Sequence, residues 1–172
     1  MPESNPILLV EDNPDDVLLT RMAYKQAGIT HRLVIVSDCE QAVRYLQGEG
    51  PYGDREQFPI PQFILLDLEV PRMTGFEFLV WLRQEPELKH LPVIALTGSL
   101  NPADMEHAYQ AGANCFVAKP TGFAELAATL TKVCGFWLKL SKLPETPIPL
   151  NLVIRERKLN RPQRPDAEKM AA

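Results

Sequence analysis

Five short apolar runs recur along the chain: Ile7-Leu8-Leu9-Val10, Leu33-Val34-Ile35-Val36, Phe63-Ile64-Leu65-Leu66, Val93-Ile94-Ala95-Leu96 and Cys115-Phe116-Val117-Ala118. None alternates with polar residues as a strand with one wet face does. Each reads as a strand buried on both sides, the pattern of a parallel sheet covered by helices. The segments between them carry helix ends. Asn13 offers an N-cap, Pro14 suits the first helical position, and Asp15 and Asp16 suit the positive end of the dipole. Val17, Leu18, Met22 and Ala23 supply an apolar stripe, and Gly28 suits the residue beyond the helix end. A second helix is predicted from Ser37-Asp38, with Glu40 and Gln41 placed for a capping box, to about Gly48. A third spans Gly75 to Gln84 and stops before Pro86. A fourth runs from Asn101-Pro102 to Gly112, and a fifth from near Gly122 to about Leu143.

Strict alternation of five strands and five helices predicts an α/β fold. It is a doubly wound five-stranded parallel sheet in the flavodoxin-like order 2-1-3-4-5, with an extended last helix. Two stretches stand outside the pattern. Residues 48–62, GEGPYGDREQFPIPQ, read as a long surface loop. Residues 144–172 hold five prolines together with Arg155, Arg157, Lys158, Arg161 and Arg164, and read as a solvated, irregular or polyproline tail. The expected organisation is one domain over 1–143 and a proline-rich, basic tail over 144–172.

Composition narrows the class. At 172 residues and 45% hydrophobic, the chain can build one substantial core. A net charge of -4 argues against direct nucleic-acid binding, and the tail is too short and proline-rich for a helix-turn-helix module. No apolar run approaches the roughly 20 residues of a membrane span. The first strand follows MPESNP at once, with no signal-peptide core, so a cytoplasmic protein without membrane contact is expected. Cys39, Cys115 and Cys134 read as small buried thiols, and Met22, Met73 and Met105 as packing residues. His31, His90 and His107 lack metal-ligand spacing and read as surface or loop residues.

The chemistry gathers at the carboxyl ends of the strands, where such folds place their sites. Strand one ends in Glu11 and Asp12, strand three in Asp67, strand four in Thr97-Gly98 and strand five in Lys119-Pro120. Singly, each residue has a structural explanation as a cap or loop residue; jointly, three carboxylates, a hydroxyl and an ammonium at one sheet edge do not. Clustered carboxylates raise each other's pKa unless a cation joins them, and an all-oxygen set without His or Cys favours Mg²⁺. Asp67 can then attack phosphorus to give an aspartyl phosphate. Lys119 neutralises the phosphoryl oxygens, Thr97 donates its hydroxyl to them, and Gly98 leaves room beside the backbone.

The segments VEDN (10–13), LLDLEVPRMTG (65–75), ALTG (95–98) and AKP (118–120) together resemble the signature set of bacterial response-regulator receivers, over about residues 6 to 142. The resemblance implies that Asp67 is the phosphoacceptor and that Glu11, Asp12 and Asp67 bind the metal with the Glu69 backbone carbonyl. It also implies a phosphate-binding hydroxyl at Thr97, a charge-neutralising Lys119, a switch aromatic at Phe116 and a cis Lys119–Pro120 bond. Such a protein is a signalling switch that catalyses only its own phosphorylation and dephosphorylation, receiving its phosphoryl group from a sensor histidine kinase. The long loop before strand three and CGFWLKLSKLP (134–144) are similar to single-domain regulators paired with phytochromes, so a phytochrome-type kinase is the implied partner. The Glu69 side chain departs from the commonest pattern. It is open to three roles: facing solvent, contacting the metal, or meeting the water that attacks the acyl phosphate.

Apolar positions after residue 133, including Phe136, Trp137, Leu138 and Leu140, surround much of the last helix. A homodimer through the fourth helix, fifth strand and fifth helix, with Phe136 and Trp137 at the interface, would cover them. The 48–62 loop or the tail would do so within one subunit. The rival enzyme reading is a Mg²⁺-dependent aspartyl-phosphate phosphatase. Its DxDxT pattern belongs on the first strand, whereas strand three here reads Asp67-Leu68-Glu69-Val70-Pro71. A nucleotide-binding Rossmann domain would need a glycine-rich fingerprint that is absent.

Overall fold

In the computed structural model, which describes residues 5–142, the five runs are strands β1 (Ile7–Val10), β2 (Leu33–Val36), β3 (Phe63–Leu66), β4 (Val93–Thr97) and β5 (Cys115–Ala118). All pairings are parallel and the order is β2-β1-β3-β4-β5, as predicted. The helices are α1 (Pro14–Gln26), α2 (Cys39–Gln47), α3 (Gly75–Gln84), α4 (Pro102–Ala111) and α5 (Phe123–Gly135).

The absence of alternation in the strands has its reason in two cores. Leu8, Val10, Ile64, Leu66, Val93 and Ala95 point to one face, where Ala42, Tyr45 and Leu46 of α2, Phe78, Leu79 and Leu82 of α3 and Ala108 of α4 cover them. Ile7, Leu9, Phe63, Leu65, Ile94 and Leu96 point to the other, beneath Ala23 and Tyr24 of α1 and Leu126, Ala127, Leu130 and Cys134 of α5. Each large side chain fully removed from water contributes about 1.5–3 kcal/mol, so both faces must stay apolar.

The helix ends follow local chemistry. Asn13 accepts from the Asp15 and Asp16 amides, Asp38 from the Gln41 amide and Asn101 from the Ala103 amide. Thr74 and Glu77 form a reciprocal capping box at the start of α3. Gly28, Gly48 and Gly112 follow their helices with positive φ.

Several expectations need correction. The buried face of α1 is Thr20, Ala23 and Tyr24, whereas Leu18 and Met22 are exposed, as is Met105 of α4. The 48–62 stretch is more than a surface loop. It holds a 3₁₀ turn at Gly50–Tyr52, and Tyr52 and Phe58 stack edge-to-face with Tyr45. The Arg55 guanidinium donates to the Tyr45, Leu46 and Phe58 carbonyls, pinning the loop to the end of α2. This loop therefore packs on the core opposite to Phe136 and does not cover it. Beyond α5 the chain makes a π-helical turn, Phe136–Leu140. That turn lays Trp137 and Leu138 on the α1–α5 core and leaves Phe136 and Leu140 outside. No described peptide bond is cis, Lys119–Pro120 included; the trans form before proline is favoured by about 0.5–1 kcal/mol. Cys39 and Cys134 are buried, Cys115 partly so, and all three are free thiols. The tail expected over 144–172, with its basic residues, lies outside the described residues.

Candidate functional site

The strand ends carry the reactive groups because the main chain fixes them there. The Glu11 amide donates to the Val36 carbonyl at 3.0 Å, and the Asp67 amide to the Val10 carbonyl at 3.0 Å. The Lys119 amide donates to the Thr97 carbonyl at 2.8 Å. Each ladder thus continues one residue past its strand and holds the side chain at the sheet's carboxyl edge.

There the Lys119 ammonium is the hub. It donates to Glu11 Oε2, to Asp16 Oδ2 at 2.8 Å and to Asp67 Oδ2 at 3.1 Å. Oxygens of Glu11, Asp16 and Asp67 all lie within 4.8 Å of one another. Three carboxylates face one ammonium, and Glu11, Asp67 and Thr97 are buried. Burial pushes the Glu11 carboxyl above its ordinary value, although the hydrogen bond and charge of Lys119 oppose this. Burial alone would lower the Lys119 ammonium, yet the bonds to Asp16 and Glu11 and the charge of Asp67 hold it above the usual lysine value. Lys119 is therefore a permanent cation at neutral pH.

The other sequence candidates fall around this hub. Thr97, last in β4, accepts from the Ser99 amide at 3.4 Å. The Glu69 amide donates to Asp67 Oδ1 at 2.9 Å while its side chain is exposed. Asp12 is also exposed and lies outside the carboxylate cluster. Phe116 is partly buried on the edge strand, where its amide donates to the Tyr109 hydroxyl at 3.2 Å. Asp16 is the member that sequence reasoning assigned only to the helix dipole. As the third residue of a helix starting at Pro14, it sits within one turn of the sheet edge that holds Glu11, but spacing alone does not say which way that turn faces.

The donor set fits a hard divalent cation, being carboxylate oxygens without His or Cys and with more negative than positive charge. Its placement beside a buried ammonium suits binding and transfer of a phosphoryl group.

Comparison with known proteins agrees with this geometry. A model of the response regulator receiver domain matches residues 7–131. Response regulator Rcp1 of Synechocystis sp. is 39% identical over 145 residues, covering 83% of this chain and 97% of Rcp1. The crystal structure of the Mn²⁺-bound form of Rcp1 aligns with a TM-score of 0.72 at 37% identity, over 82% of this chain and 99% of that one. Response regulator RPA3017, in red light signalling of R. palustris, aligns with a TM-score of 0.80 at 34% identity, over 83% and 100% of the two chains. The phosphorylated cyanobacterial phytochrome response regulator RcpA aligns at 0.75 and 35% identity, over 82% and 99%.

Proposed function

Because the chain belongs to the response regulator receiver domain family, we propose that it is a phosphorylation switch whose phosphoacceptor is Asp67, served by a phytochrome-type histidine kinase. The receiver spans 1–143, with 144–172 as an appended tail. The observation that carries this reading is the Lys119 ammonium at 3.1 Å from Asp67, beside the buried Glu11. An Asp67 carboxylate oxygen attacks phosphorus as the P–N bond of a phosphohistidine breaks, and that electron pair leaves on the imidazole nitrogen. Lys119 neutralises the oxygens of the arriving group, and the Thr97 hydroxyl donates to one of them. Glu11, Asp67 and the Glu69 carbonyl would hold Mg²⁺, with Asp12 or Asp16 completing the set. When bound, the cation supplies further charge neutralisation at the phosphoryl oxygens.

The phytochrome pairing is supported by the likeness to Rcp1, RcpA and RPA3017. The phosphatase alternative is not favoured, since the receiver model covers most of the chain. No described helix is long and apolar enough to cross a membrane. Its output is protein contact, through a homodimer on α4, β5 and α5. Met105 and Tyr109 of α4, Phe123 of α5 and Phe136 beyond it are exposed apolar groups that support this surface. Strand β5, which carries Phe116 and leads into Lys119, connects this surface to the phosphorylation site. Incubation with a small phosphodonor and Mg²⁺, read by intact-protein mass spectrometry, tests the acceptor.

A further inference from the structure

The segment that carries Asp67 into α3 is held tightly at both ends. Leu68 and Val70 are buried in the core. The Gly75 amide donates to the Leu68 carbonyl at 3.3 Å, and a Cβ at Gly75 would meet Leu68 Cα at 2.7 Å, so only glycine fits there. Between these anchors lies Arg72, with φ +66°, the one non-glycine residue at positive φ among those described. A long side chain in that region costs about 1–2 kcal/mol, and glycine or asparagine is the usual occupant.

What the arginine side chain gains explains its presence. Its guanidinium crosses to the β2–α2 junction and donates to Asp38 Oδ2 at 2.5 Å, with Glu40 at 3.8 Å. Asp38 is a fixed anchor. It is buried, caps α2 through the Gln41 amide at 2.8 Å, and accepts from the Gln41 side chain at 3.0 Å and from Ser37 at 3.3 Å. It also lies two residues after Val36, whose carbonyl holds the Glu11 amide. The pair therefore braces the Asp67–Glu69 arm of the site against the arm that carries Glu11.

Resting on the phosphoacceptor reading above, we propose that Arg72 is a positioning residue for phosphoryl transfer, acting through Asp38 to hold the Asp67–Glu69 segment in register with Glu11 and Lys119. The arginine side chain is 61% exposed, and without it buried Asp38 keeps its hydrogen bonds from Gln41 and Ser37, so the pair sets position and adds little stability.

The test is a mutant cycle on the full chain, with phosphorylation rates measured at saturating small phosphodonor and Mg²⁺. Arg72→Gly removes the side chain and the backbone strain together, so its thermal midpoint should stay near wild type. Asp38→Asn keeps a good helix cap but removes the charge. Each should lower the maximal rate about fivefold, the double variant no further, and Arg72→Lys should recover most of the loss. A wild-type rate in Arg72→Gly, or losses that multiply in the double variant, would overturn the proposal. Failure of wild type itself to take up a phosphoryl group would instead defeat the phosphoacceptor reading, which Asp67→Asn controls in parallel.

Discussion

Replacing Lys119 by alanine isolates the electrostatics of the site. The substitution strands Glu11 and Asp67, whose side chains are 2% and 10% exposed, with no other cation pairing with them among the described residues. Leaving a buried charge unpaired costs about 3–5 kcal/mol. The protein has one escape, protonation of Glu11, which burial already drives upward. With an unfolded value near 4.5, holding that proton at pH 7 costs about 1.4 kcal/mol for each pH unit above it, roughly 3.5 kcal/mol in all. That cost lies within the range for the stranded charge, so protonation caps the loss at pH 7 and relieves it as pH falls. At pH 5 the same cost falls below about 1 kcal/mol. The sign follows from linkage: a carboxyl raised in the folded state contributes stability below its unfolded value, and this is lost as pH rises through the folded value. Urea unfolding of wild type and Lys119→Ala without divalent cations, followed by far-UV circular dichroism from pH 5 to 8, should show a gap that widens to about 3.5 kcal/mol by pH 7. Excess Mg²⁺ should narrow it, because removing the competing ammonium lets the cation bind Lys119→Ala more tightly than wild type, and tenfold tighter binding is worth about 1.4 kcal/mol. A variant as stable as wild type at pH 7, or a gap independent of pH, would refute the reasoning.

Two further outcomes test parts of the site and its output. Glu69→Asn should change the dephosphorylation rate severalfold while leaving phosphorylation intact, if the carboxylate reaches the metal or the attacking water; an unchanged half-life would leave that exposed side chain to solvent. Sedimentation at tens of micromolar should show wild type self-associating and Phe136→Asp monomeric, with and without a phosphoryl mimic; Trp137, expected at the interface, packs on the core instead and is left in place. A wild type that stays monomeric in both states would defeat the dimer.

Much of the fold was legible because its signals are local. The apolar runs predicted all five strands, and Asn13, Asp38, Thr74 and Asn101 sit where side-chain capping begins each of the first four helices. Glu11, Asp67, Thr97 and Lys119 were legible because the carboxyl edge of a parallel sheet collects strand-end residues whatever their separation. Asp16 was not, because its role depends on which way a helix's first turn faces, and the dipole already explained an acid there. The α1 stripe was misread for a related reason: its buried face uses Thr20 and the small Ala23, whereas Leu18 and Met22 remain in water. Nor did the sequence reveal the π-helical turn that sends Trp137 inward and Phe136 outward. An α-helical period would have kept all four apolar residues around one axis.

The proposed switch depends on Asp67 receiving the phosphoryl group. The direct measurement is intact-protein mass spectrometry after incubation with a small phosphodonor and Mg²⁺. Wild type should gain one phosphoryl group that is lost under mild base, as an acyl phosphate is, and Asp67→Asn should gain none. A phosphoryl group on Asp67→Asn, or a wild type that stays unmodified, would contradict the account.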